Sequence, residues 1–200
     1  MTAHNIIQTL GSLPEAQHGY FTRPQAIAVG IANTAIHKAV TRGVIQRIST
    51  GIYKVSGTGT IQFEELWVAW LRLSNKVDPR SRTLDPNIWV SHESAATLHG
   101  FGDFIADEHH FITESRKKPR YGIKLHRRSK GLQPQNWTVI NGFAVTSVEQ
   151  TASDLLQSKT DGGHVGQFIR EALSANATTK PAILKATKLT ESKLNTLLNQ

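Results

Sequence analysis

The stretch from Phe21 to Val55 leaves a chain of this kind few folds to choose from. Thr22 predicts an N-cap, and Pro24 falls just inside the helix start, where a missing N–H costs least. A first helix then runs to about Val29. Gly30 supplies the left-handed conformation that a tight inter-helix turn needs, and Asn33 is the expected cap of a second helix. In that second helix Ile36 and Val40 lie four apart and face inward, while Thr34, His37, Lys38, Thr41 and Arg42 fall on other faces. Gly43 stops it. Two short apolar-rich runs follow, Val44 to Ile48 and Ile52 to Val55, joined through Ser49, Thr50 and Gly51, which is a hairpin signal. Helix, turn, helix and hairpin in this order spell a winged helix-turn-helix. A helix of that width enters a DNA major groove, and a basic hairpin beside it reaches flanking phosphate or minor groove.

Charge agrees with this reading. From Met1 to Gly57 the basic residues Arg23, Lys38, Arg42, Arg47 and Lys54 face the single acid Glu15, and the whole chain carries +8. Such a balance attracts a polyanion but does not set the fold. The absence of cysteine excludes disulfides, thiolate catalysis and cysteine-ligated zinc. No apolar run approaches the roughly 20 residues of a membrane span, and the first residues lack a signal-peptide layout. A cytoplasmic protein is expected.

The expected fold class is α+β, with the winged helix-turn-helix over residues 1–57 and a mixed α/β domain over 61–200. The small residues Ser56 to Thr60 mark the boundary. Before the motif, Ile6, Ile7 and Leu10 predict a helix that packs behind it. After the boundary, Phe63, Leu66, Trp67, Trp70, Leu71 and Leu73 predict a helix with a broad apolar face used for packing. Asn75 to Asn87 reads as a loop. A strand at Ile88 to Val90 leads into a short helix with Ser91 and Ser94 as candidate caps and Gly100 as its stop. Strands are expected at His109 to Thr113, Gly122 to His126, Trp137 to Ile140 and Phe143 to Val145, the last two joined by a type I′ turn at Asn141-Gly142. They form a small, largely antiparallel sheet within residues 61–157. Ser147 and Gln150 open a helix that ends near Leu156, and a helical tail fills 158–200, broken near Ala177 to Pro181 and near Thr190.

Four motifs in this order resemble the AbiEi-like antitoxins of type IV toxin-antitoxin, or abortive infection, systems. They are Thr-Arg-Pro-Gln-Ala-x-x-x-Gly from Thr22 to Gly30 and Gly-Val-Ile-Gln-Arg-Ile-Ser-Thr-Gly-Ile-Tyr from Gly43 to Tyr53. Trp-Val-Ser-His-Glu-Ser-Ala-Ala-x-Leu-His-Gly follows from Trp89 to Gly100, and Val-Thr-Ser-Val-Glu-Gln-Thr-Ala-x-Asp-Leu-Leu from Val145 to Leu156. The resemblance implies an autorepressor that binds inverted repeats of double-stranded operator DNA in its own promoter. It also implies a C-terminal domain that neutralises a cognate nucleotidyltransferase-like toxin, directly or functionally. On the matching positions, DNA contacts would fall to Arg23, Asn33, Thr34, His37, Lys38, Thr41 and Arg42, and to Arg47, Ser49, Thr50 and Lys54 of the wing. Arg42 and Arg23 are the first choices for specificity, because arginine to guanine is the commonest specific pairing. Two alternatives remain: a freestanding winged-helix regulator with a ligand-sensing C-terminal domain, and a DNA-processing enzyme.

A second basic stretch carries Arg116, Lys117, Lys118, Arg120, Lys124, Arg127, Arg128 and Lys130 with no acid among them. It reads either as an interaction stripe or as a solvated hairpin that protects a sheet edge. Nine histidines invite a metal site, yet His109 and His110 are neighbours on a strand and point to opposite faces. His92 and His99 are two helical turns apart, so packing or capping is the expected use and no metal or cofactor is assigned. Phosphate-cradling, dinucleotide and nucleophile-elbow motifs are missing. Asp103, Asp107, Glu108 and Glu114 lack the accompanying Glu-x-Lys of a nuclease, so no catalytic residue is assigned and no enzyme is expected.

Overall fold

The computed structural model describes residues 3–74, 86–105, 107–118 and 120–200. The loop expected from Asn75 to Asn87 lies, as far as residue 85, outside the described residues. The chain divides into two compact units, Met1–Asp85 and Pro86–Gln200.

The first unit contains α1 (Ala3–Leu10), β1 (Tyr20–Thr22), α2 (Arg23–Ala28), α3 (Asn33–Thr41), β2 (Ile45–Ser49), β3 (Ile52–Val55) and α4 (Glu64–Leu73). Its strands form an antiparallel sheet in the order β1-β3-β2. Helix α2 starts where Thr22 predicts. The Thr22 hydroxyl accepts the Gln25 N–H at 3.3 Å, and Gln25 Oε1 accepts the Thr22 N–H at 2.8 Å, a reciprocal capping box. A buried amide pair between Gln17 and Gln25 holds that box from behind, at 3.2 Å in each direction. Gly30 takes φ +87° in the inter-helix turn. Asn33 is not the cap of α3: Ala32 occupies that position without a side-chain bond, and Asn33 is the first helical residue, its amide engaged elsewhere.

Ile6, Leu10, Phe21, Ala26, Ile31, Ile36 and Ile45 close one core beneath these helices, each burying apolar area worth about 1–3 kcal/mol for the larger side chains. Helix α4 belongs to this unit and not, as the sequence suggests, to the C-terminal domain. The Tyr20 hydroxyl donates to the Glu64 carboxylate, and Lys54 Nζ approaches Glu64 Oε1 at 3.3 Å. The His18 ring meets the Trp67 ring edge-on at 4.9 Å. The small residues at Ser56 to Thr60 are therefore an internal turn, because the apolar face after them returns to the sheet before it.

The second unit runs β4 (Ile88–Val90), α5 (His92–His99), β5 (His109–Thr113), β6 (Ile123–Arg127), β7 (Trp137–Ile140), β8 (Phe143–Thr146), α6 (Val148–Gln157), α7 (Gly162–Ser174), α8 (Lys180–Thr187) and α9 (Glu191–Leu198). Its sheet order is β6-β5-β4-β8-β7. The β4–β5 and β7–β8 pairs are antiparallel, as expected, but β4–β8 and β5–β6 are parallel. Sequence shows strand positions, whereas direction depends on the path of the connection, and the chain after β5 turns back before β6 begins. Asn141 and Gly142, at φ +50° and +82°, make the tight β7–β8 turn.

Helices α6 to α9 bury Ala152, Leu155, Phe168, Ile169, Ile183 and Leu194 in one cluster with Ala96 of α5. The helical tail is thus an integral part of the core of its unit. No helix among the described residues is long and apolar enough to cross a membrane.

Candidate nucleic-acid interface

Helix α3 has two unlike sides because its apolar residues recur at helical spacing. Ile36 and Ala39 are buried, whereas Asn33, Thr34, His37, Lys38, Thr41 and Arg42 are exposed. Thr34, His37, Lys38 and Thr41 stand at i, i+3, i+4 and i+7, so they line one face. The Thr41 hydroxyl donates back to His37 O at 3.1 Å, which leaves its oxygen able to accept a further hydrogen bond.

Arg23 joins this face to the hairpin. Its backbone N–H donates to Gly51 O at 2.8 Å, and its Nε donates to Asn33 Oδ1 at 2.7 Å. One residue thereby holds the tip of the β2–β3 hairpin and the start of α3 together. The hairpin turns through Gly51 at φ +74°, with a bulge between Arg47 and Ser49. Arg47 and Thr50 are exposed and Ser49 is half-buried. Among the described residues, Arg23, Lys38, Arg42 and Arg47 form no ion pair, so their charges remain available to an anion.

Lys54 does not belong with them. It is 5% exposed, bound to Glu64 and seated 4.9 Å from the centre of the Tyr20 ring. Strand alternation is the reason: Lys54 pairs with Tyr20 on one side and Gln46 on the other, over α4 and not beside Arg47.

The second basic stretch is less continuous than its sequence. Arg116, Lys118, Arg120, Lys124, Arg127 and Lys130 are exposed, while Lys117 and Arg128 are half-buried. Burial, and then Arg120, pull the Lys117 ammonium below its ordinary value. Arg128 Nη2 donates to Asp154 Oδ1 at 3.0 Å, and burial drives that carboxyl up to about 6 against the pull of Arg128 and Gln150. Lys124 and Arg127, three apart on β6, point to opposite faces. Strand β6 is a sheet edge, so the charges there also discourage pairing with another chain.

Residues 13–55, which span the capping box, the exposed helix and the hairpin, match the family model described as a transcriptional regulator, AbiEi antitoxin. Over that segment the chain is similar to the AbiEi-like antitoxins. The match covers the interface just described and not the second unit. The fold of the whole chain is similar to that in the crystal structure of the RV2827C protein from Mycobacterium tuberculosis. That likeness has a TM-score of 0.58 at 10% identity, covering 100% of this chain and 77% of the other. No curated protein matches the sequence.

Outside the AbiEi segment, tertiary folding assembles a group that spacing along the sequence does not join. His92, His110 and His126 each present a ring nitrogen, all within 4.8 Å of one another. His126 lies on a different strand from His110, so no motif within one segment connects them. The available signal is parity: His110 pairs with Lys124 and Ile112 with His126, so both histidines lie on one face of the β5–β6 pair. His109 lies on the other face, as expected. His99 is separate, with Nε2 2.8 Å from Thr146 O. The two candidate caps of α5 serve this group instead: Ser91 Oγ is 2.9 Å from His92 Nδ1, and Ser94 Oγ accepts the His110 backbone N–H at 3.0 Å. Of the candidate acids, Asp103 pairs with His164 at 2.7 Å, and Asp107, Glu108 and Glu114 are exposed.

Proposed function

We propose that the chain is the antitoxin of a type IV toxin-antitoxin system and a DNA-binding autorepressor of its own operon. The first unit acts as a winged helix-turn-helix in which α3 enters the major groove and the β2–β3 hairpin is the wing. The observation that carries this reading is the outward face of α3, polar and basic over a buried Ile36 and Ala39, with Arg47 alongside. Lys38, Arg42, Arg23 and Arg47 neutralise phosphates or read guanine edges, and Asn33, Thr34, His37, Thr41, Ser49 and Thr50 supply neutral contacts. The match over residues 13–55 supports the regulator half of the proposal. The second unit counters a nucleotidyltransferase-like toxin in the cytoplasm, a reading supported by the likeness of residues 13–55 to the antitoxin family and by the separate core of that unit.

The test has two arms in one variant. Changing Lys38 and Arg42 together to Ala abolishes binding to the chain's own promoter DNA in an anisotropy titration. Rescue of cells from the toxin encoded beside it is unchanged. Retained DNA binding overturns the groove assignment; loss of rescue overturns the division of labour.

A further inference from the structure

We propose that His92, His110 and His126 form a binding site for a divalent transition metal ion, with zinc as the test case, and that the ion ties the basic edge strand β6 to α5. The three side chains come from three elements: the start of α5, the middle of β5 and β6. His110 is only 6% exposed. Its Nδ1 and His126 Nε2 are buried without a hydrogen-bond partner. A buried imidazole in a core ordinarily satisfies its ring nitrogens, so two orphaned nitrogens on one face require an explanation. A shared cation supplies it.

Donor chemistry selects the ion. Three imidazoles and no carboxylate suit zinc and its neighbours, whereas calcium and magnesium demand oxygen ligands. Burial, followed by the mutual influence of the rings and of Lys124 or Arg128, drives His92 down to about 3 and His110 to about 4, and lowers His126. All three are therefore neutral near pH 7, the form that binds a metal. The Arg128 charge beside them is balanced by Asp154 at 3.0 Å, which leaves exposed Lys124 as the uncompensated cation on that face.

The surroundings are organised in the manner of a ligand shell. Ser91 engages His92 Nδ1 and so leaves Nε2 to face an ion, and Ser94 fixes the His110 backbone. His92 itself holds φ +52°, a left-handed conformation that a non-glycine residue rarely adopts. In tetrahedral zinc sites the donor nitrogens sit about 3.3 Å apart, given bonds of about 2.0–2.1 Å. The present spacing of up to 4.8 Å, with the His92 and His126 rings stacked at 3.7 Å, is wider, so binding requires one of the stacked rings to turn.

The experiment uses the full chain, stripped with chelator and desalted, then titrated with Zn2+ by calorimetry and with Co2+ by visible absorption. One equivalent binds, and Co2+ gives the ligand-field bands of a nitrogen-ligated, low-coordinate ion. His126→Ala, at a half-buried position, and His110→Ala remove both signals. Ser91→Ala weakens Zn2+ binding by about tenfold. His109→Ala and His164→Ala change neither signal. Zinc also slows amide exchange in β6 of the wild type and not of His126→Ala, a readout independent of the stability of the variants. Absence of Zn2+ binding to the wild type, binding that survives His126→Ala, or binding abolished by His109→Ala or His164→Ala each overturns the proposal.

Discussion

Arg23 Nε donates to Asn33 Oδ1 at 2.7 Å, so the first residue of α2 orients its guanidinium against the first residue of α3. Asn33→Ala is expected to free that guanidinium without touching the core. The loss of one exposed hydrogen bond, about 1 kcal/mol, corresponds to roughly a fivefold weaker Kd for operator DNA. An anisotropy titration checks it, and an unchanged Kd would show that Arg23 needs no positioning.

Salt dependence separates phosphate-binding residues from bystanders. Arg42→Ala and Arg47→Ala should each lower the slope of log K against log salt by about 0.9, the signature of one fewer neutralised phosphate. Lys54→Met should leave the slope alone, because that ammonium is buried against Glu64. A slope change in Lys54→Met of the size seen for Arg47→Ala would return Lys54 to the interface.

Removal of Glu64 strands the Lys54 charge. Glu64→Ala is expected to cost about 2 kcal/mol in urea unfolding, less than for a fully buried pair because the Glu64 side chain is 35% exposed. The hydrogen bond from Tyr20, then Lys54, hold the Glu64 carboxyl below its ordinary 4.5 against the effect of burial. A depressed acid stabilises the fold above its unfolded value and stops doing so as pH falls through the folded one. The stability advantage of wild type over Glu64→Gln should therefore be constant near neutrality and shrink below pH 4.5. An advantage that grows on acidification would contradict the assignment.

Gly166 is a packing requirement. A Cβ there would collide with the backbone carbonyl of Leu197, which cannot swing away as a side-chain end would. Gly166→Ala should destabilise the second unit by about 1–3 kcal/mol, visible as a lower Tm. Arg170 Nη1 donates to Leu198 O at 2.6 Å, so the same change should also loosen the end of α9 in hydrogen exchange. Wild-type Tm in the variant would mean that α9 moves aside without cost.

A fragment of residues 1–85 should be markedly more stable than one of residues 1–57. The shorter piece lacks Glu64, Trp67 and Trp70, leaving Lys54 unpaired and the sheet uncovered. Equal urea midpoints for the two would restore the boundary to Ser56–Thr60.

Most element positions are legible without coordinates. The Thr22 capping box, Gly30, Gly43, the Gly51 hairpin and Asn141-Gly142 are local signals, and each produces the element it announces. The candidate DNA face is legible for the same reason, since helical periodicity alone separates Ile36 from His37 and Lys38. Lys54 misleads because its charge resembles that of Arg47 along the chain, while the pleat sends it to α4. Asn33 misleads because it suits two uses within one turn, capping its own helix or binding Arg23, and only spatial proximity chooses between them.

Most of the elements, their order along the chain and the outward polarity of α3 were settled by sequence, because caps, turns and periodicity act over a few residues; strand β1 was not, because three residues form a strand only against β3. Tertiary structure decided what depends on distant partners. It assigned α4 to the first unit, ran β5 and β6 parallel, and removed Lys54 from the surface. It also gathered His92, His110 and His126 from segments far apart in sequence. Those outcomes follow from strand direction and from which apolar face covers which sheet, and neither is encoded within any single segment.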